Sequence, residues 1–172
     1  VYENLNLPVA IARCKSNIAL VYLIQSDHEK ANNYFKEALE ITQASGDVMG
    51  TATILNHLGE GNRNLGYYEK ALQRYNESLD ISLDAGLQQP EAISLNGIGL
   101  IYSEKGDFLL SIEYFERALK YFYSAGNNDN VAAALNNIGM AYQSMGQYDK
   151  AITKFNEAYN FSVTAGSLYN QA

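Results

Sequence analysis

The sequence contains only two prolines, and neither a low-complexity tract nor a glycine- and serine-rich linker interrupts its 172 residues. Nothing in the composition therefore marks a domain boundary, and we expect one domain over residues 1–172. Charged residues make up only 18%, whereas 47% are hydrophobic. The chain can bury a sizeable core.

Positive charge is scarce, since 12 Lys and Arg stand against 19 Asp and Glu, for a net charge of −7 at pH 7. Nucleic acids and anionic membrane surfaces require a basic surface, so we expect neither as a partner. We see no apolar run that approaches the length of a membrane span and expect no signal peptide. The single cysteine, Cys14, cannot form an intramolecular disulfide, which favours a reducing compartment, the cytoplasm.

What the sequence does contain is a pattern that recurs every 40 residues, without insertion, in four copies. Residues that lie 40 apart in the sequence occupy what we call the same repeat position. Among them are Ile18, Leu58, Ile98 and Ile138; Ala19, Gly59, Gly99 and Gly139; Tyr22, Asn62, Tyr102 and Tyr142; Phe35, Tyr75, Phe115 and Phe155; and Ala38, Ser78, Ala118 and Ala158. The small and apolar positions lie three or four residues apart, which predicts helices rather than strands.

Each copy is predicted to form two helices. The first helices are placed near 9–25, 49–65, 89–105 and 129–145, and the second near 28–45, 68–85, 108–125 and 148–165. Glycine accepts the left-handed conformation that ends many helices, so Gly66, Gly106 and Gly146 should end first helices and Gly46, Gly86, Gly126 and Gly166 second helices. Asp27 and Asp107 can cap the helices that follow them. Gly59, Gly99 and Gly139 should let helices approach closely beside the aromatic residues.

Residues 138–158 resemble the tetratricopeptide repeat in every element: Ile138, Gly139, Tyr142, Gly146, Tyr148, Ala151, Phe155 and Ala158. The other copies depart from it at Ser111, at Asn62 and Ser78, and at Ala19, Ser26 and His28. The long period is similar to that of Pins/LGN adaptors, kinesin light chain and bacterial Rap/PlcR-type regulators. The resemblance implies an all-α, right-handed superhelical solenoid of four stacked helix-turn-helix units, near 9–46, 49–86, 89–126 and 129–166.

The same resemblance implies a concave groove lined by the first helices, with no cofactor or metal, that binds a protein or peptide segment. The groove residues it implies are Arg13, Asn17, Asn56, His57, Glu60, Arg63, Asn96, Asn136, Asn137, Met140 and Gln143. Asn56, Asn96 and Asn136 share one repeat position and form what we call the asparagine ladder. An Asn amide can both donate and accept, so the ladder could hold an extended peptide backbone. Alternatively, these residues are surface polar groups or bond to neighbouring helices.

Several kinds of site find little support in the sequence. Only Arg13 and Arg63 are basic among the groove residues, and they stand in different repeats, which argues against a clamp for a C-terminal carboxylate. His28 and His57 occupy unrelated positions, and no cluster has metal-ligand spacing. Cys14 shares its position with Ile54, Ser94 and Ala134, which indicates a packing slot between helices. We therefore expect no enzyme activity in this chain.

Three functions remain open: a peptide- or protein-binding scaffold, a self-assembling segment, and a regulatory domain of a larger signalling enzyme. Val1 is level with Ile41, late in a second helix, and no initiator Met is present. We interpret the chain as a fragment of a longer repeat array. An uncovered last helix carrying Phe155, Tyr159, Phe161 and Val163 would then favour self-association through an end.

Overall fold

The computed structural model describes the backbone of residues 3–169 and the side chains of residues 7–163. This range contains eight α-helices and no strand, which confirms the predicted all-α class of helix-turn-helix units. The helices are α1 (Glu3–Ile24), α2 (His28–Ser45), α3 (Val48–Asn64), α4 (Tyr68–Ala85), α5 (Gln88–Glu104), α6 (Phe108–Ser124), α7 (Asn128–Ser144) and α8 (Tyr148–Tyr169).

The chain divides into two compact units, which we call unit 1 (residues 1–94) and unit 2 (residues 95–172), and the division falls inside α5. In unit 1, α1 packs on α2, α2 on α3 and α3 on α4, and α1 also contacts α3. In unit 2, α6 packs on α7 and α7 on α8. In both units, these helices therefore pack against their neighbours in sequence.

The turns between the two helices of a copy follow the predicted chemistry. Gly66 has the left-handed φ of +76°, and Gly106 and Gly146 take the same conformation. The Asp27 carboxylate accepts from the backbone N–H of Lys30 at 3.2 Å, and Asp107 caps α6 in the same way. In the first copy Ser26 takes this conformation instead, with φ +60°, although it has a side chain that disfavours it.

The predicted ends of the second helices are confirmed at Gly46, Gly86 and Gly126, all of which have positive φ. The prediction is wrong for Gly166, because α8 continues through it to Tyr169. A glycine inside a helix costs only about 1 kcal/mol relative to alanine, so it ends a helix only where the chain must turn. In the first three copies a new helix begins two residues after the glycine, at Val48, Gln88 and Asn128.

The first helix also differs from its prediction, since α1 begins at Glu3 rather than near residue 9. Residues 3–8 are therefore not the end of a preceding second helix. The repeat position that is glycine in all later copies is Asn6 here, so the sequence does not require a left-handed residue at this point. Pro8 lies in the second turn of α1 and does not interrupt it.

The predicted close approach of helices at the small residues is confirmed within each unit. A Cβ atom added to Gly59 would lie 2.8 Å from ring carbons of Tyr75, and one added to Gly139 would lie 2.6 Å from Phe155. Real carbon contacts are longer than this, so each aromatic ring occupies the space that a side chain would need. The ring and the glycine therefore act as a pair in holding two helices together.

The apolar character of α1 requires a correction. The window Leu7–Ile24 has a mean hydropathy of 1.4 and is, by length and composition alone, long and apolar enough to cross a membrane. The sequence expectation that no such run exists is therefore wrong. Two of its residues, Ala12 and Ala19, are buried in a core cluster with α2 and α3, so α1 is part of the core of unit 1.

Candidate functional site

The groove positions of the first two copies surround one cavity in unit 1, which we call the groove cavity. Its volume is about 300 Å³, and it lies between α1 and α3. Its apolar lining includes Val9, Ala12, Leu20 and Ile54, and its polar lining includes Arg13, Asn17, Thr53 and His57. Three of the residues predicted from sequence, Arg13, Asn17 and His57, thus meet at a single cavity.

Two of the polar groups at this cavity are available to a ligand. Arg13 and Asn17 are exposed, and neither side chain has a hydrogen-bond or ion-pair partner among the described residues. By contrast, the Thr53 hydroxyl donates to the backbone oxygen of Met49 at 2.9 Å, and Asp47 accepts from the N–H of Gly50. The groove cavity therefore combines free donors with an apolar interior.

His57 is held in place by an aromatic contact. Its ring stacks on Phe35 with the centroids 5.1 Å apart and the planes 13° apart. Burial lowers the pKa of His57 below its ordinary value, and the Glu60 carboxylate acts more weakly in the opposite direction. Because the neutral imidazole is favoured, His57 offers one donor and one acceptor at the cavity rather than a charge.

The structure corrects the role of Asn56, the first member of the asparagine ladder. Asn56 is only 4% exposed. Its Nδ2 donates to the backbone oxygen of Pro90 at 3.0 Å, and its Oδ1 accepts from the Ser94 hydroxyl at 2.7 Å. Both ends of the amide are engaged by α5, the first helix of the next copy, so Asn56 cannot hold a peptide backbone. The alternative reading, a bond to a neighbouring helix, is the correct one here.

The remaining predicted groove residues differ in exposure. In unit 2, Asn136, Met140 and Gln143 are exposed, whereas Asn96 and Asn137 are half-buried. Asn136 Nδ2 contacts the sulfur of Met140 at 3.6 Å. In unit 1, Glu60 is exposed and Arg63 is half-buried, but neither lines the groove cavity.

Cys14 also differs from its prediction. It is exposed, whereas Ile54, Ser94 and Ala134 at the same repeat position are buried. The shared position does predict a packing slot in the later copies, where a preceding helix covers it. No described element covers Cys14, so the slot is open in α1.

Sequence reasoning missed a second cavity of about 450 Å³ in unit 1, which we call the α2–α4 cavity after the two helices on its sides. Its lining includes Asn32 and Lys36 from α2, Asn62 from α3, and Lys70 and Arg74 from α4. The available signal was Asn62, which stands where three copies have tyrosine. Across residues whose side chains are described, no group of three or more His, Cys, Asp or Glu could hold a metal ion.

Comparison with solved structures identifies chains of the same fold. BtubC (BKLC) from P. vanneervenii is 23% identical, with a TM-score of 0.79. The alignment covers 92% of this chain and 66% of the BtubC chain. The apo form of RapI is 19% identical, with a TM-score of 0.80, and the alignment covers 92% of this chain and 44% of RapI. Aspartyl phosphate phosphatase F from Bacillus subtilis is 19% identical, with a TM-score of 0.83, and the alignment covers 90% of this chain and 41% of that protein. The chain thus spans less than two thirds of each of these proteins.

Comparison with curated protein sequences gives no match. The tetratricopeptide repeat model, however, matches residues 10–84 and 90–162, which together make up most of the sequence. These ranges contain the small and aromatic residues that hold each helix pair together. Repeat units of this kind form helical scaffolds for protein interaction. The chain belongs to the tetratricopeptide repeat family.

Proposed function

We propose that the chain binds an extended peptide segment of a partner protein, and that the groove cavity receives one apolar side chain of that segment. The observation that carries the proposal is that α1 and α3 bring Arg13, Asn17 and His57 to the rim of one apolar cavity. A volume of about 300 Å³ is at the small end for ligand sites. It suits one side chain rather than a whole folded surface.

The polar rim suits a peptide main chain. The Asn17 amide can donate to a peptide C=O and accept from a peptide N–H, while the Arg13 guanidinium offers donors in a fixed fork. Both groups are exposed and have no partner among the described residues, so a ligand need not break existing bonds to reach them. Asn56 takes no part in this binding, since both ends of its amide are engaged within unit 1.

The experiment is a random-peptide display selection on the purified protein, followed by affinity measurement of the selected peptides. Replacing Arg13 and Asn17 together by Ala should weaken binding by about tenfold to a hundredfold, because two hydrogen bonds to the ligand are lost. The matched control is Gln43→Ala, an exposed polar residue of α2 that lines neither cavity. It should leave affinity within about twofold.

Two outcomes would contradict the proposal. One is a selection that enriches no peptide above background. The other is a set of peptides whose affinity is equally unchanged in the double variant and in the control. Circular dichroism of both variants checks that any loss is not caused by unfolding, and none is expected because Ala is a better helix former than Asn.

Self-assembly remains a second candidate, and a specific observation favours it. Ile18 is 42% exposed, whereas Leu58, Ile98 and Ile138 at the same repeat position are at most 2% exposed. At the other end of the chain, Tyr159 and Val163 of α8 are exposed. An apolar face that is covered in the later copies is thus open in α1, where a second copy of the chain could pack. Regulation of a larger enzyme stays a prediction from sequence.

A further inference from the structure

The α2–α4 cavity is the place where unit 1 departs most from its own repeat. Asn32 stands where the other copies have Leu72, Ile112 and Ile152, and Gly61 stands where they have Val21, Ile101 and Ala141. Asn62 stands where all three other copies have tyrosine, and Arg74 stands where the first and third copies have tyrosine and the fourth has Lys154. Three of these four residues line the cavity, and the fourth, Gly61, lies directly against Asn32.

The loss of two aromatic rings explains why space exists here. In the first copy Tyr22 stacks on Tyr34 with centroids 5.6 Å apart, and Tyr102 stacks on Tyr114 at the same distance in the third. In the second copy these two repeat positions are Asn62 and Arg74. A short amide and a flexible guanidinium fill less of the gap than two stacked rings, and a polar cavity of about 450 Å³ is left.

The amide of Asn32 forms part of the wall of this cavity. Asn32 is only 8% exposed, and its Oδ1 has no hydrogen-bond partner. A Cβ atom added to Gly61 would lie 2.3 Å from that oxygen, so the glycine makes room for the amide. A buried polar group without a partner is costly, and native proteins retain few of them. Because Oδ1 is an acceptor, a ligand hydroxyl that donates to it would remove the cost.

The charged groups at the cavity are mostly cationic, although the whole chain is acidic. Lys36, Lys70 and Arg74 line it against one carboxylate, that of Glu29. Arg74 also pairs with Glu77 at 2.8 Å, through one of its nitrogens. Lys36 and Lys70 have no ion-pair partner among the described residues. The two ammonium groups are therefore available to an anion.

The start of α4 adds to this cationic character. Tyr67 occupies the N-cap and makes no capping hydrogen bond, whereas Asp27 caps α2. Lys30 of α2 forms an ion pair with Asp27 at 2.7 Å, but Lys70 at the same repeat position lies over the Tyr67 ring at 4.9 Å. An anion beside Lys70 would supply the negative charge that an aspartate, Asp27 or Asp107, provides in the first and third copies.

We propose that the α2–α4 cavity binds a small organic anion that carries a phosphate or carboxylate group. Lys36, Lys70 and Arg74 contact the oxyanion, and a hydroxyl group of the same molecule donates to Asn32 Oδ1. Asn62 Nδ2 donates to the backbone oxygen of Leu58 at 2.7 Å, so Asn62 takes part through its Oδ1 as an acceptor. This site is separate from the groove cavity, so it can be present whether or not the groove binds a peptide. The departures from the repeat are then what a ligand site requires, because packing alone favours the apolar residues of the other copies.

The test uses the purified protein with three probes: inorganic phosphate, glycerol 3-phosphate and succinate. Each is titrated at constant ionic strength, since screening weakens exposed charge pairs. Calorimetry measures affinity, and nuclear magnetic resonance follows the side-chain amide signals of Asn32 and Asn62. We expect at least one probe to shift both signals in a saturable way. Binding by the phosphates but not succinate identifies a phosphate site, and the reverse identifies a carboxylate site.

The repeat itself supplies matched variants. Lys70→Leu introduces the residue found at position 110, and it should weaken binding about tenfold or more, as expected for a lost charge-assisted hydrogen bond. Lys150→Leu is the control, because Lys150 has the same repeat position and also lies over a tyrosine ring, but it belongs to unit 2 and does not line the α2–α4 cavity. It should change affinity by less than about twofold. Asn62→Tyr should fill the cavity and remove binding.

The proposal is overturned if no probe shifts the amide signals of Asn32 and Asn62 at concentrations up to tens of millimolar. It is also overturned if Lys70→Leu and Lys150→Leu weaken binding equally, since the anion would then be responding to net charge. Should Asn62→Tyr fail to fold, the comparison of the two lysine variants still decides the question, because both lysines are exposed.

Discussion

Replacing Asn56 by Ala tests whether this position stabilises the stacking of helices rather than holding a ligand. Asn56 donates to the backbone oxygen of Pro90 and accepts from the Ser94 hydroxyl, and both bonds join α3 to α5 within unit 1. The hydroxyl of Ser94 also lies 3.0 Å from that of Ser78 in α4. Removing the Asn56 amide therefore weakens a buried polar network that connects three helices.

The magnitude follows from what the remaining groups can still do. Two hydrogen bonds are lost, each worth about 0.5–1.5 kcal/mol. Once Asn56 is removed, the single hydroxyl hydrogen of Ser94 can turn to the Pro90 oxygen, 2.9 Å away, so no acceptor is stranded and the higher cost of an unpaired buried group does not apply. Alanine is a better helix former than asparagine by about 0.7 kcal/mol at most. The net loss should be about 1–2 kcal/mol in the free energy of unfolding.

Asn136→Ala is the matched control, because it changes the same repeat position in an exposed residue. Asn136 makes only a weak contact with the sulfur of Met140, so its removal should be neutral or slightly stabilising, by about 0.5 kcal/mol. Urea unfolding of both variants, monitored by circular dichroism, gives the comparison. Since repeat proteins can unfold in parts, hydrogen exchange of α3 and α5 amides should locate the loss. Equal effects of the two variants would refute the reasoning.

Two further predictions concern the first copy. Ser26→Gly should raise the free energy of unfolding by about 1 kcal/mol, because Ser26 has φ +60° and glycine adopts this conformation without strain; the reciprocal Gly66→Ser should lower it similarly, and urea unfolding that shows no difference between them would contradict this account. If self-assembly is correct, sedimentation velocity should show the protein associating as its concentration rises, and Ile18→Ser should shift it towards monomer; a monomer at every concentration would exclude this function.

Most of the helices were predictable because their ends and contacts depend on local residue types that recur along the repeat. A glycine follows the first helix in the second, third and fourth copies, and Gly66 and Gly146 take φ of +76° and +73° there, which lets the chain turn into the next helix. The pairing of Gly59 with Tyr75 was likewise readable, since a residue without a side chain must face something large. In these cases the identity of one residue determines its own conformation or the size of its neighbour.

The terminal helices were not predictable in this way. Gly166 lies inside α8 although Gly46 ends α2, because a glycine permits a turn but does not impose one. At Gly46 the following helix, α3, packs back on α2 and makes the turn favourable. The extension of α1 to Glu3 has the same origin, since Asn6 leaves the helical conformation available where later copies have glycine. The ends of a repeat array depend on neighbours that the repeat pattern does not specify.

The candidate site shows the same limit in a different form. Three of the predicted groove residues, Arg13, Asn17 and His57, line one cavity, because side chains on one face of consecutive first helices lie side by side. The asparagine ladder failed at Asn56, because the role of an amide depends on what the next helix presents. Ser94 and the Pro90 oxygen face Asn56. Neither could be placed from the position of Asn56 in its own repeat.

Departures from a repeat carry information of another kind. A stacked helix pair gains stability from apolar contacts, so a sequence under no other demand would keep tyrosine at position 62 and an aliphatic residue at position 32. Asn32 and Asn62 give up those contacts, and Asn32 leaves a buried oxygen unpaired. One isolated departure can be an accident of drift. Several departures converge on the α2–α4 cavity, where Lys36 and Lys70 form no ion pair with a described residue, and this convergence is the reason that we propose a ligand site there.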